Sequence, residues 1–176
     1  SKKAAQALKV MQNRGQDYYG IYNGITLQTS KELNTINTTS ESNLAFGHCL
    51  HAIVGTVPQP LLNKKNNSTL IANCEIYNWE ELKDKYNIEA ENDAELLHFF
   101  LDKFAEEDNF KEKLLELDGV FAFVYQKDNT ILIARDIIGI KPIHYTYNSD
   151  GLAIASEQKA LEEIYLIDIK ELNPRT

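Results

Sequence analysis

The chain has 176 residues, of which 43% are hydrophobic and 25% are charged, and its formal net charge at pH 7 is −8. This length and composition are typical of one globular domain, and no apolar run is long enough to span a bilayer, so we expect no membrane association. The negative charge, with lysines and arginines scattered along the chain, argues against a nucleic acid partner. Two cysteines cannot form the disulfide framework of a small secreted protein, which favours a cytoplasmic location.

The first half of the chain mixes helix and strand signals. Apolar residues at helical spacing begin the chain, and Gly15 is expected to end that helix. The Asn-Gly pair at residues 23–24 indicates a hairpin. In chain order, the sequence predicts a helix over 1–12, strands over 18–22 and 25–29, a loop over 30–42 and a strand within 43–55.

The second half has helices first and strands later. A buried strand beginning near Ile71 leads into an amphipathic helix that contains Trp79 and Leu82, and a Leu- and Phe-rich helix follows over Asp93–Phe104. After a further short helical segment, β-branched and apolar runs separated by turn residues predict an antiparallel meander over 119–126, 130–136, 144–148 and 152–156. Helices between blocks of antiparallel strands predict an α+β layered domain, not a parallel βαβ sheet.

Taken one at a time, the reactive residues favour structural roles. His48 and His51 could suggest a metal site, but residues three apart on a strand point to opposite faces, so core or edge histidines are the favoured interpretation. Cys49 and Cys74 both lie among apolar strand residues, where thiols are usually buried and inert. We therefore predict no metal site from these residues.

A charged couple at a strand end leaves two alternatives open. Arg135 and Asp136 follow the apolar run TILIA, and they could form a local ion pair or brace a turn. The sequence contains no P-loop, no GxGxxG after a strand and no cysteine pairs at zinc spacing. Phosphate-binding and structural-zinc classes therefore lack their motifs.

Eight segments follow one another along the chain: NRGQD (13–17), FGHCLHAIVG (46–55), QPLL (59–62), NCEIYNWEEL (73–82), NDAE (92–95), LDGVFAFVYQ (117–126), ARDIIGIKPIHY (134–145) and ASEQKAL (155–161). Taken together and in this order, they resemble the glutaminase domain of glutamine-hydrolysing asparagine synthetases, which is a class II glutamine amidotransferase. The resemblance covers nearly the whole chain. It implies the N-terminal nucleophile hydrolase fold for residues 1–176, a four-layer αββα sandwich of two antiparallel sheets.

The resemblance also implies an activity and its partners. In this family an N-terminal cysteine, with its own α-amino group as the base, hydrolyses glutamine to glutamate and ammonia through a thioester. No residue here matches that cysteine, so an opening strand is expected before Ser1, and a synthetase domain that uses the ammonia is expected beyond Thr176. The expected partners are L-glutamine and that synthetase domain, where ATP and magnesium would bind. No cofactor is expected in the glutaminase domain, and a homodimer is left open.

Four residues occupy the family's catalytic and ammonium-binding positions. Asn73, through its side-chain amide, and Cys74, through its backbone N–H, match the oxyanion hole that stabilises the tetrahedral intermediate. The family has glycine at the second position. Glu75 and Asp93 match the carboxylates that bind the α-ammonium group of the substrate.

The remaining positions include one departure from the family and three residues with backbone or supporting roles. Leu50 stands where the family has the arginine that binds the substrate α-carboxylate, and leucine has no donor. The backbone of Ile53 and Val54 matches the loop that lines the substrate amide, and Arg14 matches the arginine that supports the nucleophile's strand. The substitutions at residues 50 and 74 leave an alternative open, namely a catalytically degenerate domain of the same fold with a regulatory or interaction role. The retained polar residues make the enzyme the leading hypothesis.

Overall fold

The computed structural model describes residues 2–39, 42–51, 57–149, 151–164 and 167–174. Its α-helices are α1 (Lys2–Val10), α2 (Trp79–Tyr86), α3 (Asp93–Phe104), α4 (Phe110–Leu114) and α5 (Gln158–Glu163). Its strands are β1 (Tyr18–Tyr22), β2 (Leu27–Ser30), β3 (Phe46–Leu50), β4 (Leu61–Asn63), β5 (Ser68–Ile76), β6 (Gly119–Lys127), β7 (Thr130–Arg135), β8 (His144–Asn148), β9 (Gly151–Ala155) and β10 (Lys170–Glu171). None of the helices described is both long and apolar enough to cross a membrane.

The chain forms two compact units. The first consists of Ser1–Pro60 with Pro142–Pro174, and the second of Leu61–Lys141. The first unit contains two sheets with strand orders β2-β1-β3 and β10-β8-β9, and the second contains one sheet with the order β4-β5-β6-β7. Every strand pair described is antiparallel, as the sequence predicted.

The predicted hairpin between β1 and β2 is present, but β2 begins two residues later than expected. The side-chain Oδ1 of Asn23 accepts hydrogen bonds from the backbone N–H groups of Ile25 (3.0 Å) and Thr26 (2.7 Å). Gly24 has a φ of +84°, which a residue with a side chain rarely adopts. Because these bonds hold residues 23–26 in a turn, the ladder starts only at Leu27.

The prediction that Gly15 ends the first helix is wrong. The helix ends at Val10 and a short 3₁₀ turn follows over Gln12–Arg14, while Gly15 is extended with a φ of 168°. A Cβ at Gly15 would lie 2.3 Å from the backbone carbon of Leu50 and 2.5 Å from the N of His51. Glycine is needed here because two backbone segments pack against each other.

The second unit has its core between α3 and the sheet. Leucines and phenylalanines of α3 pack on β5 and β6, and the fully buried members of this core include Leu70, Leu96, Leu97, Phe100, Leu101 and Phe123. The predicted bounds of α3 are confirmed. Asn92 caps its start, since the Asn92 Oδ1 accepts a hydrogen bond from the Glu95 N–H at 2.9 Å.

The predicted four-strand meander is wrong as a single sheet. β6 pairs with β7 and β8 pairs with β9, but β7 and β8 belong to different sheets. The connection between them is long, and Asp136 accepts several of its backbone N–H groups. Those donors are therefore not available to a β-ladder. Three elements that the sequence did not reveal, β4, α5 and β10, are only three, six and two residues long.

Candidate active site

The end of β5 presents two kinds of side chain on its two faces. Because successive strand residues alternate in direction, Cys74 lies on the face with Ala72 and Ile76, and Asn73 and Glu75 lie on the other. The Cys74 side chain packs against the core of the second unit. The pKa of the Cys74 thiol is raised well above its ordinary value, mainly by burial and secondly by the neighbouring Asp93 carboxylate. The raised pKa disfavours the reactive thiolate, in line with the structural role that the sequence favours for Cys74.

The backbone N–H of Cys74 points away from β6, towards the edge of β5 along which β4 pairs with only part of the strand. The N–H of Tyr77 donates to Asp118 (2.7 Å) and that of Asp128 to Asn67 (3.4 Å), so the odd-numbered residues of β5 form the hydrogen-bonded pairs with β6. The N–H groups of even-numbered residues point the other way, towards the side where β4 pairs. However, β4 reaches only Ser68–Leu70 of β5. The Cys74 N–H therefore lies beyond the end of β4.

Asp93 joins the start of α3 to the same edge of β5. Its Oδ2 accepts a hydrogen bond from the Ile76 N–H at 3.1 Å, and its Oδ1 accepts one from the Ala94 N–H at 2.9 Å. The carboxylate also lies beside the Cys74 thiol and contributes to its raised pKa. The structure thus brings Asp93 to residues 74–76, although it is 17 positions from Ile76 along the chain.

Glu75 has a partner that sequence reasoning missed. The Nζ of Lys141 lies 2.7 Å from the Oε1 of Glu75. Lys141 is in the segment ARDIIGIKPIHY, which contributed to the family resemblance, but no local pattern links it to Glu75. The two residues are 66 positions apart, and only the fold reveals their contact.

A buried aspartate fixes the loop that carries Lys141. Asp136 is 3% exposed and its carboxylate accepts four backbone hydrogen bonds, within a span of 2.7 to 3.3 Å. The donors are the N–H groups of Phe121, Gly139, Ile140 and Lys141. Burial alone would raise the pKa of Asp136, but these hydrogen bonds outweigh it and the pKa is lowered.

The guanidinium of Arg135 forms a hydrogen bond with the same loop. It donates to the carbonyl oxygen of Gly139, which is also the residue whose N–H binds Asp136. Of the two alternatives that the sequence left open for Arg135 and Asp136, the described contacts support the turn brace.

In the first unit, Arg14 belongs to a polar cluster around Glu157. The Nε of Arg14 lies 3.8 Å from the Glu157 Oε1, which also accepts a hydrogen bond from the Asn13 Nδ2 at 2.9 Å. The Lys159 Nζ lies 2.8 Å from the other carboxylate oxygen. Burial alone would raise the pKa of Glu157, but Lys159, Asn13 and then Arg14 lower it overall. This cluster joins two segments of the family resemblance, NRGQD and ASEQKAL.

Leu50 is the last residue of β3. It pairs with Tyr18 of β1, and its carbonyl oxygen accepts a hydrogen bond from the Asp17 N–H at 3.0 Å. The preceding residue, Cys49, is buried, and burial together with the charge of Glu157 raises the pKa of its thiol to about 12. This raised pKa disfavours the reactive thiolate, in line with the structural role that the sequence favours for Cys49.

Of the residues directly after β3, the structure describes His51. The Nδ1 of His51 lies 3.6 Å from the Asp17 Oδ2, on an exposed part of the chain. No cluster of three or more His, Cys, Asp or Glu side chains suited to a metal ion occurs in the part of the chain that the structure describes. Ile53 and Val54 lie outside the described residues.

Comparison with known proteins identifies the family. A family model described as a glutamine amidotransferase domain matches residues 1–173. The chain belongs to the glutamine amidotransferase domain family. This amidotransferase domain is 32% identical to asparagine synthetase B (glutamine-hydrolysing) of Escherichia coli, over 91% of the chain and 26% of that protein. It is also 32% identical to asparagine synthetase (glutamine-hydrolysing) 3 of Bacillus subtilis, over 71% of the chain and 21% of that protein.

Solved structures confirm the fold. The amidotransferase domain matches the glutamine phosphoribosylpyrophosphate amidotransferase of B. subtilis with a TM-score of 0.75 and 22% identity, over 97% of the chain and 42% of that chain. The α+β fold of the N-terminal nucleophile hydrolases, expected from the resemblance, is thus confirmed. The chain spans between about a fifth and a third of the length of the curated relatives it matches.

Proposed function

We propose that this amidotransferase domain hydrolyses the side-chain amide of L-glutamine to glutamate and ammonia. Similarity to glutamine-hydrolysing asparagine synthetases supports this activity. The observation that carries the proposal is the end of β5. There Asn73 and Glu75 flank Cys74, whose backbone N–H points away from β6, and the Asp93 carboxylate accepts the neighbouring Ile76 N–H within the same compact unit.

The proposed oxyanion hole consists of the Asn73 side-chain amide and the Cys74 N–H. Hydrolysis places a negative charge on the substrate carbonyl oxygen in the tetrahedral intermediate, and donors held in place stabilise that charge. The substitution of glycine by Cys74 is compatible with this role because residue 74 lies in the extended backbone of β5, where a Cβ is tolerated. Its N–H, not its thiol, is the proposed functional group.

The proposed ammonium site consists of the Glu75 and Asp93 carboxylates. Asp93 already accepts the Ile76 N–H through Oδ2, so its position relative to β5 is fixed. A substrate ammonium bound by two carboxylates forms charge-assisted hydrogen bonds. Glutamine analogues without the α-amine would leave these carboxylates unpaired, which gives the site its selectivity.

The attacking thiolate is proposed to come from an N-terminal cysteine encoded before Ser1. Neither Cys49 nor Cys74 is suited to the attack, because both thiols have raised pKa values. An N-terminal cysteine has its own α-amino group, whose ordinary pKa of about 7.7 to 8.0 suits a general base near neutral pH. In this scheme Arg14, held by Glu157, supports the strand of the nucleophile.

We also propose that the ammonia is used to make asparagine in a synthetase domain that binds ATP and magnesium, in the cytoplasm. The names of the curated relatives and their greater length support this assignment. A degenerate domain with only a regulatory role is less favoured, since Asn73, Glu75 and Asp93 are all retained.

The test is a glutaminase assay on the protein with its natural termini. Asn73→Ala removes one oxyanion donor, so we expect kcat to fall by about 10²- to 10³-fold with little change in KM. Asn109→Ala is the matched control, because Asn109 is exposed and its side chain makes no capping hydrogen bond with α4. An Asn73→Ala variant that kept wild-type kcat would refute the proposed oxyanion role, and a wild-type protein without glutaminase activity would refute the function itself.

A further inference from the structure

We propose that Lys141 binds the α-carboxylate of the glutamine substrate, in place of the arginine that Leu50 replaces. The inference rests on the proposed function, in which Glu75 and Asp93 bind the α-ammonium group. It adds a specificity-determining residue that lies in the same compact unit as both carboxylates.

Lys141 is in direct contact with one carboxylate of the proposed ammonium site. Its Nζ lies 2.7 Å from the Glu75 Oε1. The Lys141 side chain is 19% exposed, whereas that of Glu75 is 49% exposed. The stem of the lysine is therefore mostly covered, while the carboxylate it contacts remains open to solvent. A ligand that reaches Glu75 comes within range of the lysine ammonium group.

The charges of an amino acid match this ion pair. An α-amino acid has an ammonium group and a carboxylate on the same carbon atom, so both groups arrive together. When the substrate ammonium binds Glu75, Lys141 loses its partner, and the substrate carboxylate is the anion available to replace it. In the bound state the substrate ammonium pairs with Glu75 and the substrate carboxylate pairs with Lys141, so that each charge has a partner of opposite sign.

A cation is needed at this place for a further reason. Glu75 and Asp93 are both acidic, and a substrate carboxylate close to them would be repelled without a compensating positive charge. Leu50 has no hydrogen-bond donor in its side chain that could supply this compensation. Lys141 already provides a positive charge in contact with Glu75.

The backbone of Lys141 is held in place before any ligand binds. Its N–H donates to the Asp136 Oδ2 at 3.3 Å, and Pro142 follows it and restricts its backbone conformation. The flexible side chain can still turn from Glu75 to a nearby carboxylate, since a lysine ammonium binds as a point charge. The backbone of Lys141 is thus fixed, while its side-chain ammonium group can move to a new partner.

The decisive experiment compares Lys141→Met with three ligands, in the protein with its natural termini. The ligands are L-glutamine, glutaramate, which lacks the α-ammonium group, and 4-aminobutanamide, which lacks the α-carboxylate. We expect the variant to bind glutamine and glutaramate about 10- to 100-fold more weakly, which is typical for loss of a hydrogen bond to a charged group. Its affinity for 4-aminobutanamide should not fall. In the glutaminase assay KM rises by a similar factor, while kcat stays within a few-fold.

Two further variants control this comparison. Lys127→Met removes a lysine of the same unit that is 20% exposed and whose Nζ lies 2.9 Å from the Glu106 carboxylate, so its affinities should equal those of wild type. Lys141→Arg retains the charge and should keep most of the affinity for glutamine, whether or not Lys141→Met folds.

The outcomes separate the inference from the function. Equal weakening for all three ligands would show that Lys141 only shapes the site, and tighter glutamine binding would show that it competes with the substrate ammonium. Either result overturns the inference while the function stands. A wild-type protein that neither binds nor hydrolyses glutamine would overturn both.

Discussion

Gly119 shows how a single residue controls the approach of two strands. It stands opposite Ile76 at the start of β6, and a Cβ there would lie 2.2 Å from the carbonyl oxygen of Glu75 and 2.9 Å from the Cα of Ile76. Both atoms belong to the backbone, so neither can move without displacing β5. A residue larger than glycine is therefore expected to disturb the same stretch of β5 that carries Glu75.

We expect Gly119→Ala to lower the free energy of unfolding by about 1 to 3 kcal/mol, which is typical of overpacking. Glutamine binding should weaken as well, because the displaced strand includes Glu75. Urea unfolding and ligand titration measure the two effects. Gly47→Ala is the control, since the three atoms nearest to its Cβ would all belong to the side chain of Leu8, at 3.2 to 3.3 Å, and none to a backbone. Equal stability of the Gly119→Ala variant and wild type would contradict the close approach.

At the residue scale, the sequence was informative where a motif is local and uninformative where a contact is distant. Asn73, Cys74 and Glu75 are consecutive, so one motif was enough to select them. Lys141 could not be selected, because its contact with Glu75 depends on the register of β5, β6 and β7 and on the loop that follows. The roles proposed for these residues remain predictions for the experiments above.

Helix α3 contains a buried histidine that the proposed mechanism does not use. The Nε2 of His98 lies 2.9 Å from the Oγ of Ser68 in β5, and its ring packs edge-on against Tyr125. Burial lowers the pKa of His98, and the nearby carboxylates of Asp102 and Glu95 only partly oppose this effect. The neutral imidazole is therefore the form that the folded protein favours.

This lowered pKa makes stability depend on pH. In the unfolded chain His98 has a pKa of about 6.5, so the unfolded state binds a proton at a higher pH than the folded state does. The free energy of unfolding should fall as the pH decreases from about 7.5 through 6.5, until the lowered pKa of the folded state is reached. Urea unfolding between pH 8 and pH 5.5 measures this slope.

His98→Gln should have a smaller slope in that range, because glutamine does not titrate. His51→Gln provides the control, since the ring of His51 is exposed and 68% of its side-chain surface is accessible. If wild type and His98→Gln lost stability in parallel, another group would be responsible for the pH dependence.

Element bounds were predictable where short-range chemistry sets them. The capping residue Asn92 marked the start of α3, and the Asn-Gly pair marked the turn between β1 and β2. The meander was misjudged because strands that follow each other in sequence usually pair. Here Asp136 takes the N–H groups of the intervening loop, and no local pattern shows that one carboxylate can do this.

For the whole molecule, the sequence predicted the class of fold but not its division into units. Strand and helix patterns alone indicated an antiparallel α+β protein, and the ordered segments of the resemblance indicated the family, which was confirmed. The first unit combines Ser1–Pro60 with Pro142–Pro174. Such a unit depends on contacts between distant segments, which composition and periodicity do not contain.

The net charge leads to a prediction for the whole chain. With a net charge of −8 at pH 7 and an isoelectric point near 5.0, molecules repel one another at neutral pH and lose this repulsion near pH 5. We expect a solubility minimum of the 176-residue chain close to pH 5, measured by light scattering across pH 4 to 8. High solubility at pH 5 with a minimum elsewhere would contradict this expectation.

The loop that follows Asp136 resembles an anion-binding loop. The place of the anion is taken by the carboxylate of Asp136, which belongs to the chain itself. Backbone N–H groups that converge on one point usually attract a phosphate or sulfate from solution, but here the chain supplies the anion itself. Dissolved anions find these donors already occupied. We therefore expect the shape of the loop, and with it the backbone position of Lys141, not to depend on dissolved phosphate.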